Sequence, residues 1–263
     1  MNSDVNKMET IDTHCHLEHL LQKGMKLEIV FQNMKKNGVI ALIDSPINTR
    51  EHTQSVNLHK KYPEKIFVTL GAAPANYQEV DIREIIESIR VYAKKNEIIG
   101  IGEVGLDYYW IKDEKLRKKQ HLIFQEFIQL GNELKLPLIV HSRDAEKESI
   151  MELKLAETNV IMHSFSGNPD LGKECVEQNF YISIPTAITT RKKYQLLAKE
   201  TPLESLIVET DSPFLSPIKE LKINEPANVI YAIKEIAKIK GISIEEVAET
   251  VLENIKKIYR LNI

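Results

Sequence analysis

Short runs of β-branched and apolar residues alternate with longer segments of helical periodicity along almost the whole chain. Nearly continuous apolar runs of this kind are typical of strands that are buried on both faces of a parallel sheet. The runs predict eight strands, at 8–14, 38–44, 65–71, 98–103, 136–141, 159–163, 180–184 and 205–210. In the intervening segments 81–95 and 113–134, apolar residues recur on one helical face. The alternation predicts an α/β fold, a single (β/α)8 TIM barrel over residues 1–263.

A doubly wound open sheet is the competing fold. Its dinucleotide-binding form has no support, because no Gly-x-Gly-x-x-Gly follows the first predicted strand. The C-terminal segment 226–260 is predicted to form two helices, and Ser243 with Glu246 makes a capping box for the second of them. The irregular segment 212–226 follows the last predicted strand, so we expect it to lie over the barrel mouth.

Composition and charge narrow the class of protein further. Hydrophobic residues make up 43% and charged residues 28% of the chain, and the net charge is −3, which excludes a disordered chain and a strongly basic nucleic-acid binder. The two cysteines, Cys15 and Cys175, form no disulfide framework and favour a reducing compartment. The N-terminus lacks an apolar signal-peptide core, and no apolar run is long enough to cross a bilayer. We therefore expect a cytoplasmic protein that neither binds membranes nor has an obligate protein partner.

Residues of the types that bind metals interrupt the predicted strands at their carboxyl ends. Six of them stand at or just after strand ends: His14, His16, Glu103, His141, His163 and Asp211. On a (β/α)8 barrel this is the face on which active sites are built. Residues i and i+2 of a strand point the same way, so the His-x-His pair presents both imidazoles to one side. The sequence therefore predicts a metal site at the carboxyl-terminal rim of the barrel.

Several of these residues also have a purely structural interpretation. Glu103 is suited to bridge two cations, and its alternative is a salt bridge to a barrel arginine or lysine. Asp211 is suited to bind a metal and to take a proton from a nucleophilic water, and its alternative is to start the Asp-Ser-Pro turn. We expect Asp144 to cap a helix rather than to bind a metal, and Arg143 is equally suited to an anion and to an ion pair.

Aromatic side chains follow the fourth predicted strand. Tyr108, Tyr109 and Trp110 are suited to stack on nucleobases, and their alternative is to pack over the barrel mouth. The remaining histidines are interpreted as surface or packing residues: His19, His52, His59 and His121. Cys15 alternates away from the histidines on either side of it, so we do not expect it to bind a metal.

Five segments resemble the signature blocks of the TatD family of metal-dependent hydrolases, which are amidohydrolase-type (β/α)8 barrels. They are IDTHCH (11–16), IGEVGLDYYW (101–110), PLIVHSRDA (137–145), HSFSG (163–167) and ETDSPFLSP (209–217). Together with a similar C-terminal tail, the resemblance covers nearly the whole chain. The ligand set that it implies is His14, His16 and Asp211 for one divalent cation, His141 and His163 for a second, and Glu103 as a bridge. Mixed nitrogen and oxygen ligands are compatible with magnesium, manganese or zinc.

The resemblance also implies a nuclease that removes nucleotides from DNA 3′ ends. Asp211 and Glu103 would then be the catalytic residues, and we predict that Arg143, Tyr108 and Tyr109 contact the DNA or nucleotide substrate.

A hydrolase of carboxylic esters or amides, including aminoacyl esters of tRNA, is the alternative, because the same fold supports both chemistries. A metal-binding scaffold without catalysis is a third. Ala73 stands where the family has a histidine associated with the substrate phosphate, and Ile223 stands where it has an arginine. Both departures favour the ester hydrolase, whereas Ser164 in place of a cysteine is a small change.

Overall fold

Eight parallel strands form one sheet in the computed structural model, which describes residues 8–263. The strands are β1 Thr10–Cys15, β2 Val39–Asp44, β3 Ile66–Leu70, β4 Gly100–Asp107, β5 Leu138–Arg143, β6 Val160–Met162, β7 Tyr181–Pro185 and β8 Leu206–Glu209. They are neighbours in the sheet in the order of the chain, from β1 to β8. The prediction of a (β/α)8 barrel is confirmed. Residues 1–7 lie outside the described residues. The prediction of one domain over 1–263 and that of a polar N-terminus both include them, so they stay predictions there.

Helices connect the strands and cover the outside of the barrel. They are α1 Leu17–Gln22, α2 Leu27–Lys36, α3 Thr49–Lys61, α4 Ile82–Lys94, α5 Glu114–Leu134, α6 Glu146–Leu153, α7 Pro169–Glu177, α8 Lys192–Glu200, α9 Ile230–Lys240 and α10 Ile244–Tyr259. Short 3₁₀ helices occupy Pro74–Asn76, Thr186–Thr189, Leu203–Ser205 and Pro226–Val229. The helices predicted in 81–95, 113–134 and 226–260 are present, and Ser243 caps α10 by accepting a hydrogen bond from Glu246 N at 3.0 Å.

The strands are buried along almost their whole length, as parallel strands between helices must be. Every residue of β1, β3, β4, β6, β7 and β8 is buried. The apolar faces of α4 and α10 pack onto this sheet with residues such as Ile85, Ile89, Val251 and Ile255, all fully buried. A continuous core therefore holds the strand ends, and the polar side chains on them, in fixed positions.

Hydrogen bonds between β1 and the segment after β8 bring the two ends of the sheet together. The Asp12 carboxylate accepts from Thr210 N at 2.7 Å and from Thr210 Oγ1 at 2.5 Å. Asp211 N donates to His14 O at 2.9 Å, and His16 N donates to Ser212 O at 2.8 Å. The first and last strands are thereby joined at the carboxyl-terminal rim.

The fourth strand is longer than the sequence indicates. It runs to Asp107 rather than ending at residue 103, because it stays paired with β5 as far as Asp107 opposite Arg143. Glu103 therefore lies inside β4, and the prediction that it ends a strand is wrong. His141 likewise lies inside β5 rather than at its end. Both residues nonetheless lie in the part of the barrel that faces the rim.

No helix in the described part of the chain is both long and apolar enough to cross a membrane.

His52 gives the fold a dependence on pH that can be measured. Its side chain is 1% exposed, and its Nε2 donates to Gly71 O at 2.9 Å. Burial lowers the pKa of His52 from 6.5 to about 4. Below pH 6.5, the unfolded chain therefore binds a proton at this histidine more readily than the folded chain does. The contribution of His52 to the free energy of unfolding is complete above pH 6.5 and is lost as the pH drops towards 4. Between pH 7 and pH 5, we expect the free energy of unfolding to fall by about 2 kcal/mol more in the unsubstituted chain than in His52→Gln, because glutamine does not titrate.

Urea unfolding of both proteins at the two pH values, in the presence of a chelator, measures this difference. Other titrating groups are common to the two proteins and cancel. An equal loss of stability in both would contradict the assignment to His52.

Candidate metal centre

All six predicted ligands converge on one place at the carboxyl-terminal rim. His14 Nε2 lies 3.7 Å from Glu103 Oε2 and 3.9 Å from Asp211 Oδ1. His16 Nε2 lies 3.2 Å from the same oxygen of Asp211, and His163 Nε2 lies 3.9 Å from it. The distances join side chains from β1, β4, β6 and the loop after β8 in one cluster.

Two groups within this cluster have the geometry of metal sites. The first is His14, His16 and Asp211, and the second is His14, Glu103 and His163. In each group one ligand atom of every residue lies within 4.8 Å of the others. His14 belongs to both groups, so the two candidate positions are adjacent. His141 meets them through Glu103, since its Nδ1 lies 2.5 Å from Glu103 Oε1.

A hydrogen-bond acceptor orients each of three ligand imidazoles from behind. His16 Nδ1 donates to Ser45 O at 2.7 Å and His141 Nε2 donates to Asp107 Oδ2 at 2.8 Å. His163 Nδ1 donates to Glu209 Oε2 at 3.0 Å. The opposite nitrogen of each ring then points into the cluster and can bind a metal once it has lost its proton, which is the orientation that metal-ligating histidines usually have.

Sequence reasoning missed Asp107 and Glu209. A signal was present, because Asp107 is four residues after Glu103 and Glu209 is two residues before Asp211. Even spacings place residues on the same face of a strand, so both carboxylates could have been assigned to the centre as partners of its histidines.

His14 provides a test of whether a cation fits the centre. Both of its ring nitrogens are buried and, among residues 8–263, neither has a hydrogen-bond partner. Buried polar atoms are nearly always paired, so two unpaired nitrogens in one ring require an explanation. Its ring stacks on that of His163 with 3.8 Å between centroids, which leaves Nε2 beside Glu103 and Asp211. A divalent cation between these groups satisfies the donor set.

The histidines and carboxylates of the cluster shift one another's pKa values. Burial lowers the pKa of His16, but the Asp211 carboxylate outweighs burial and raises that pKa to about 9. Burial also lowers the pKa of His141, whereas Glu103 and Asp107 raise it to about 10. Burial raises the pKa of Glu103, and the neighbouring His141 holds it well below its usual range. Without a cation, the cluster is therefore held together by imidazolium–carboxylate pairs, and a metal has to displace their protons.

Asp211 starts a turn and also faces the ligand cluster, so its two predicted roles are compatible with each other. Phe214 N donates to Asp211 O at 2.8 Å, so the residue does start a turn. Its side chain nevertheless points at the three histidines of β1 and β6, and at 15% exposure it is the most accessible carboxylate of the cluster. It is thus the acidic group of the cluster that opens to the solvent.

A cleft of about 550 Å³ lies directly above the cluster. The residues that line it are Trp110, His141, Ser142, Arg143, His163, Ser164, Ser166, Arg191, Lys193, Tyr194, Asp211, Phe214 and Leu215. Three of its side chains are cations, and two exposed aromatic side chains, Trp110 and Phe214, also face it. The cleft can therefore hold an anionic group beside an aromatic one.

The three predicted substrate contacts differ in where they lie. Arg143 lines the cleft, and its guanidinium stacks 3.6 Å from the centroid of the Tyr109 ring. Tyr109 is exposed at the rim behind this arginine. The hydroxyl of Tyr108 lies 2.6 Å from His121 Nε2, and Arg117 covers its ring, so Tyr108 packs against α5 rather than lining the cleft. Trp110 occupies the place in the cleft that the sequence assigned to the tyrosines.

Most residues expected to have structural roles lie in positions that suit those roles. The prediction that Asp144 caps a helix is wrong, because α6 has Ala145 at its N-cap and no side-chain cap. Cys15 is fully buried with its Sγ 3.5 Å from Ile43 O. His59 Nδ1 donates to Ile66 O at 2.7 Å, and His19 is partly buried beside Glu51. Ala73 lies in the turn after β3 and Ile223 packs against the core, and neither lines the cleft.

A (β/α)8 barrel with histidines and carboxylates clustered at the carboxyl ends of its strands is the arrangement of a metal-dependent enzyme. Residues 11–260 match the family described as TatD related DNase. The chain belongs to this family, as the resemblance of its sequence blocks predicted, and is a metal-dependent hydrolase.

Relatives of known name agree with this assignment. An uncharacterized metal-dependent hydrolase of Methanocaldococcus jannaschii is 36% identical over 252 residues, covering 95% of this chain and 96% of that protein. Deoxyribonuclease TATDN3 of Homo sapiens is 33% identical over 261 residues, covering 95% of this chain and 94% of that protein. The crystal structure of YJJV, a TatD homologue from Escherichia coli K12, shares the fold with a TM-score of 0.88, at 23% identity and with 97% and 99% of the two chains covered.

Asp107 should tune the centre through His141. We expect Asp107→Asn to weaken the binding of Mn²⁺ by about tenfold to a hundredfold, because the amide neither orients the imidazole nor raises its basicity as a carboxylate does. Isothermal titration of the metal-free protein with Mn²⁺ measures the affinity. Asp170→Asn, which removes an exposed carboxylate from the first turn of α7, is the matched control. An unchanged affinity in Asp107→Asn would rule out this role.

Proposed function

We propose that this protein is a 3′–5′ DNA exonuclease, or a closely related phosphodiesterase, that uses two divalent cations. The observation that carries the proposal is the position of the ligand cluster at the floor of a cleft with three cationic side chains, Arg143, Arg191 and Lys193. A phosphodiester carries a negative charge throughout the reaction, so a cationic cleft above the centre suits it better than it suits a neutral ester.

The ligand assignment is the one that the resemblance to the family implies. The two overlapping groups support it in part, since one joins His14 and His16 with Asp211 and the other joins Glu103 with His163. His14, His16 and Asp211 would hold one cation, His141 and His163 the other, with Glu103 between them. This set is supported by the unpaired nitrogens of His14 and by the orientation of His16, His141 and His163 from behind. Bound there, magnesium, manganese or zinc would supply Lewis acidity and charge neutralisation for displacement at phosphorus.

The protein's own residues position the substrate and move the proton. Asp211 faces the cleft and carries the most accessible carboxylate of the cluster, so it is the group placed to accept a proton from a water that attacks the substrate. Glu103 is buried between His14 and His141, so its proposed role is to hold the centre together electrostatically. We assign the catalytic roles to these two carboxylates.

On the substrate side, the cleft offers contacts of two kinds. Arg143 can pair with a phosphate oxygen, and Tyr109 supports that arginine from behind. Trp110 is 65% exposed and lines the cleft, which suits it to stack on a nucleobase. The hydroxyl of Tyr108 is hydrogen-bonded to His121. Tyr108 would therefore contact only a substrate that extends beyond Arg143 to the rim. The name of the human relative, a deoxyribonuclease, supports DNA as the substrate.

The role of Asp211 can be tested by a nearly isosteric change. We expect Asp211→Asn to lower kcat on a 3′-labelled single strand of DNA by at least about a hundredfold, because an amide is a poor base and a weak metal ligand. Circular dichroism and thermal unfolding serve as controls for the fold. Retention of more than about a tenth of the activity, a loss under ~1.4 kcal/mol, would show that Asp211 is not the base.

Metal removal tests the mechanism, and substrate preference separates the nuclease from its alternative. We expect the chelated protein to be inactive and to recover on addition of Mn²⁺ or Mg²⁺, with DNA cleaved in preference to carboxylic esters. The measurement is a parallel assay of 3′-labelled DNA and an ester panel that includes an aminoacyl-tRNA. Faster turnover of an ester than of DNA would favour the ester hydrolase, and full activity of verified metal-free protein would exclude the mechanism.

A further inference from the structure

A second polar cluster lies in the cleft beside the ligand cluster, where α8 begins. It consists of Ser164, which directly follows His163, and of Arg191, Lys193 and Tyr194. All four line the cleft, and we refer to them as the α8 cluster. None of them belongs to the two groups of metal ligands, so hydrolysis at the centre leaves their role open.

A pair of hydroxyl groups in the α8 cluster has one donor to spare. Ser164 Oγ and the Tyr194 hydroxyl lie 3.2 Å apart, and Tyr194 is only 2% exposed. The two groups carry two O–H donors, but the bond between them uses one. Within the described residues, no other group accepts from either hydroxyl. The pair lines the cleft, so its second O–H is placed to donate to an acceptor oxygen of a ligand.

The charges around this pair point to an anion. Arg191 and Lys193 stand at the N-cap and in the first turn of α8, where the helix dipole disfavours cations. That turn has no acidic residue and no side-chain cap. Burial lowers the pKa of Lys193 and the neighbouring Arg191 lowers it further, while Glu146 opposes the shift. An anion at this end of the helix would meet the backbone N–H groups and neutralise both side chains.

We propose that the α8 cluster binds a second phosphate group of the substrate, next to the phosphate that is hydrolysed. This inference rests on the proposed function, since a polynucleotide carries such groups at regular intervals. The cleft of about 550 Å³ extends from the ligand cluster to the α8 cluster, and its size suits a ligand larger than one phosphate. Lys193 and Arg191 supply charge, and the spare O–H of the Ser164–Tyr194 pair supplies a directed hydrogen bond.

The proposal is tested by binding, with probes that differ in one phosphate. Deoxythymidine 3′,5′-bisphosphate and deoxythymidine 3′-monophosphate are titrated into the metal-loaded protein by calorimetry. We expect the bisphosphate to bind about tenfold or more tightly than the monophosphate, as one charge-assisted contact allows. Lys193→Gln and Tyr194→Phe should each reduce this preference to about threefold or less, and Ser164→Ala should act like Tyr194→Phe.

The chain offers a matched control in the same helical turn. Lys192→Gln makes the same change of charge, but Lys192 does not line the cleft, so the preference for the bisphosphate should persist. An equal loss in Lys192→Gln and Lys193→Gln would attribute the preference to net charge and overturn the proposal. So would the absence of any preference in the unsubstituted protein. Because Lys193 is exposed, its variant is informative even if Tyr194→Phe does not fold.

Failure of the proposed function would be seen separately. It would appear as a lack of product from 3′-labelled DNA, whereas the binding comparison requires no turnover. If the protein prefers the bisphosphate through the α8 cluster but does not cleave DNA, the phosphate-site proposal stands and the nuclease proposal is wrong.

Discussion

The contact that joins the first and last strands of the barrel is the constraint on which the site depends. Burial raises the pKa of Asp12, and the hydrogen bonds from Thr210 oppose that effect, so this carboxylate is held in place by the strand that it joins. Two residues after Asp12 and one residue after Thr210, a backbone hydrogen bond connects His14 with Asp211. Side chains nearly two hundred residues apart in the chain are thereby brought to within ligand distance. The contacts that close the barrel are therefore the same contacts that bring the residues of the centre together.

The centre concentrates polar groups in a part of the barrel that would otherwise be apolar. Burying an imidazole or a carboxylate is costly unless it is paired, and Ser45, Asp107 and Glu209 provide partners for three of the histidines. His14 is the exception, with both nitrogens buried and, in the described part of the chain, unpaired. The protein alone therefore leaves one cost uncompensated at the point shared by both ligand groups. A bound cation would remove that cost, which couples metal binding to the stability of the fold.

The alternation of apolar runs and helical segments was enough to predict the barrel. The residue types at the predicted strand ends were enough to place six candidate ligands at one rim, since the carboxyl ends of parallel strands must meet. The ends of β4 and β5 were not predictable, because Val104, Gly105 and Leu106 continue a strand that the run before Glu103 already completes. The α8 cluster was missed for a different reason. Ser164 and Tyr194 are thirty residues apart and belong to different elements, so only the tertiary fold places their hydroxyls together.

The residues that indicate the class of reaction lie mostly on or beside strands, whereas the residues that indicate the substrate lie mainly in loops. Five of the six candidate ligands lie on or directly beside strands whose packing leaves little freedom: His14, Glu103 and His141 lie within strands, and His16 and His163 directly follow one. The side chains that face the substrate come mainly from connecting segments, where Trp110 and Phe214 are exposed. Loops tolerate substitution without loss of the barrel, so relatives with the same ligands can accept different substrates. The charge of the cleft is therefore a better guide to the substrate than the ligand set is.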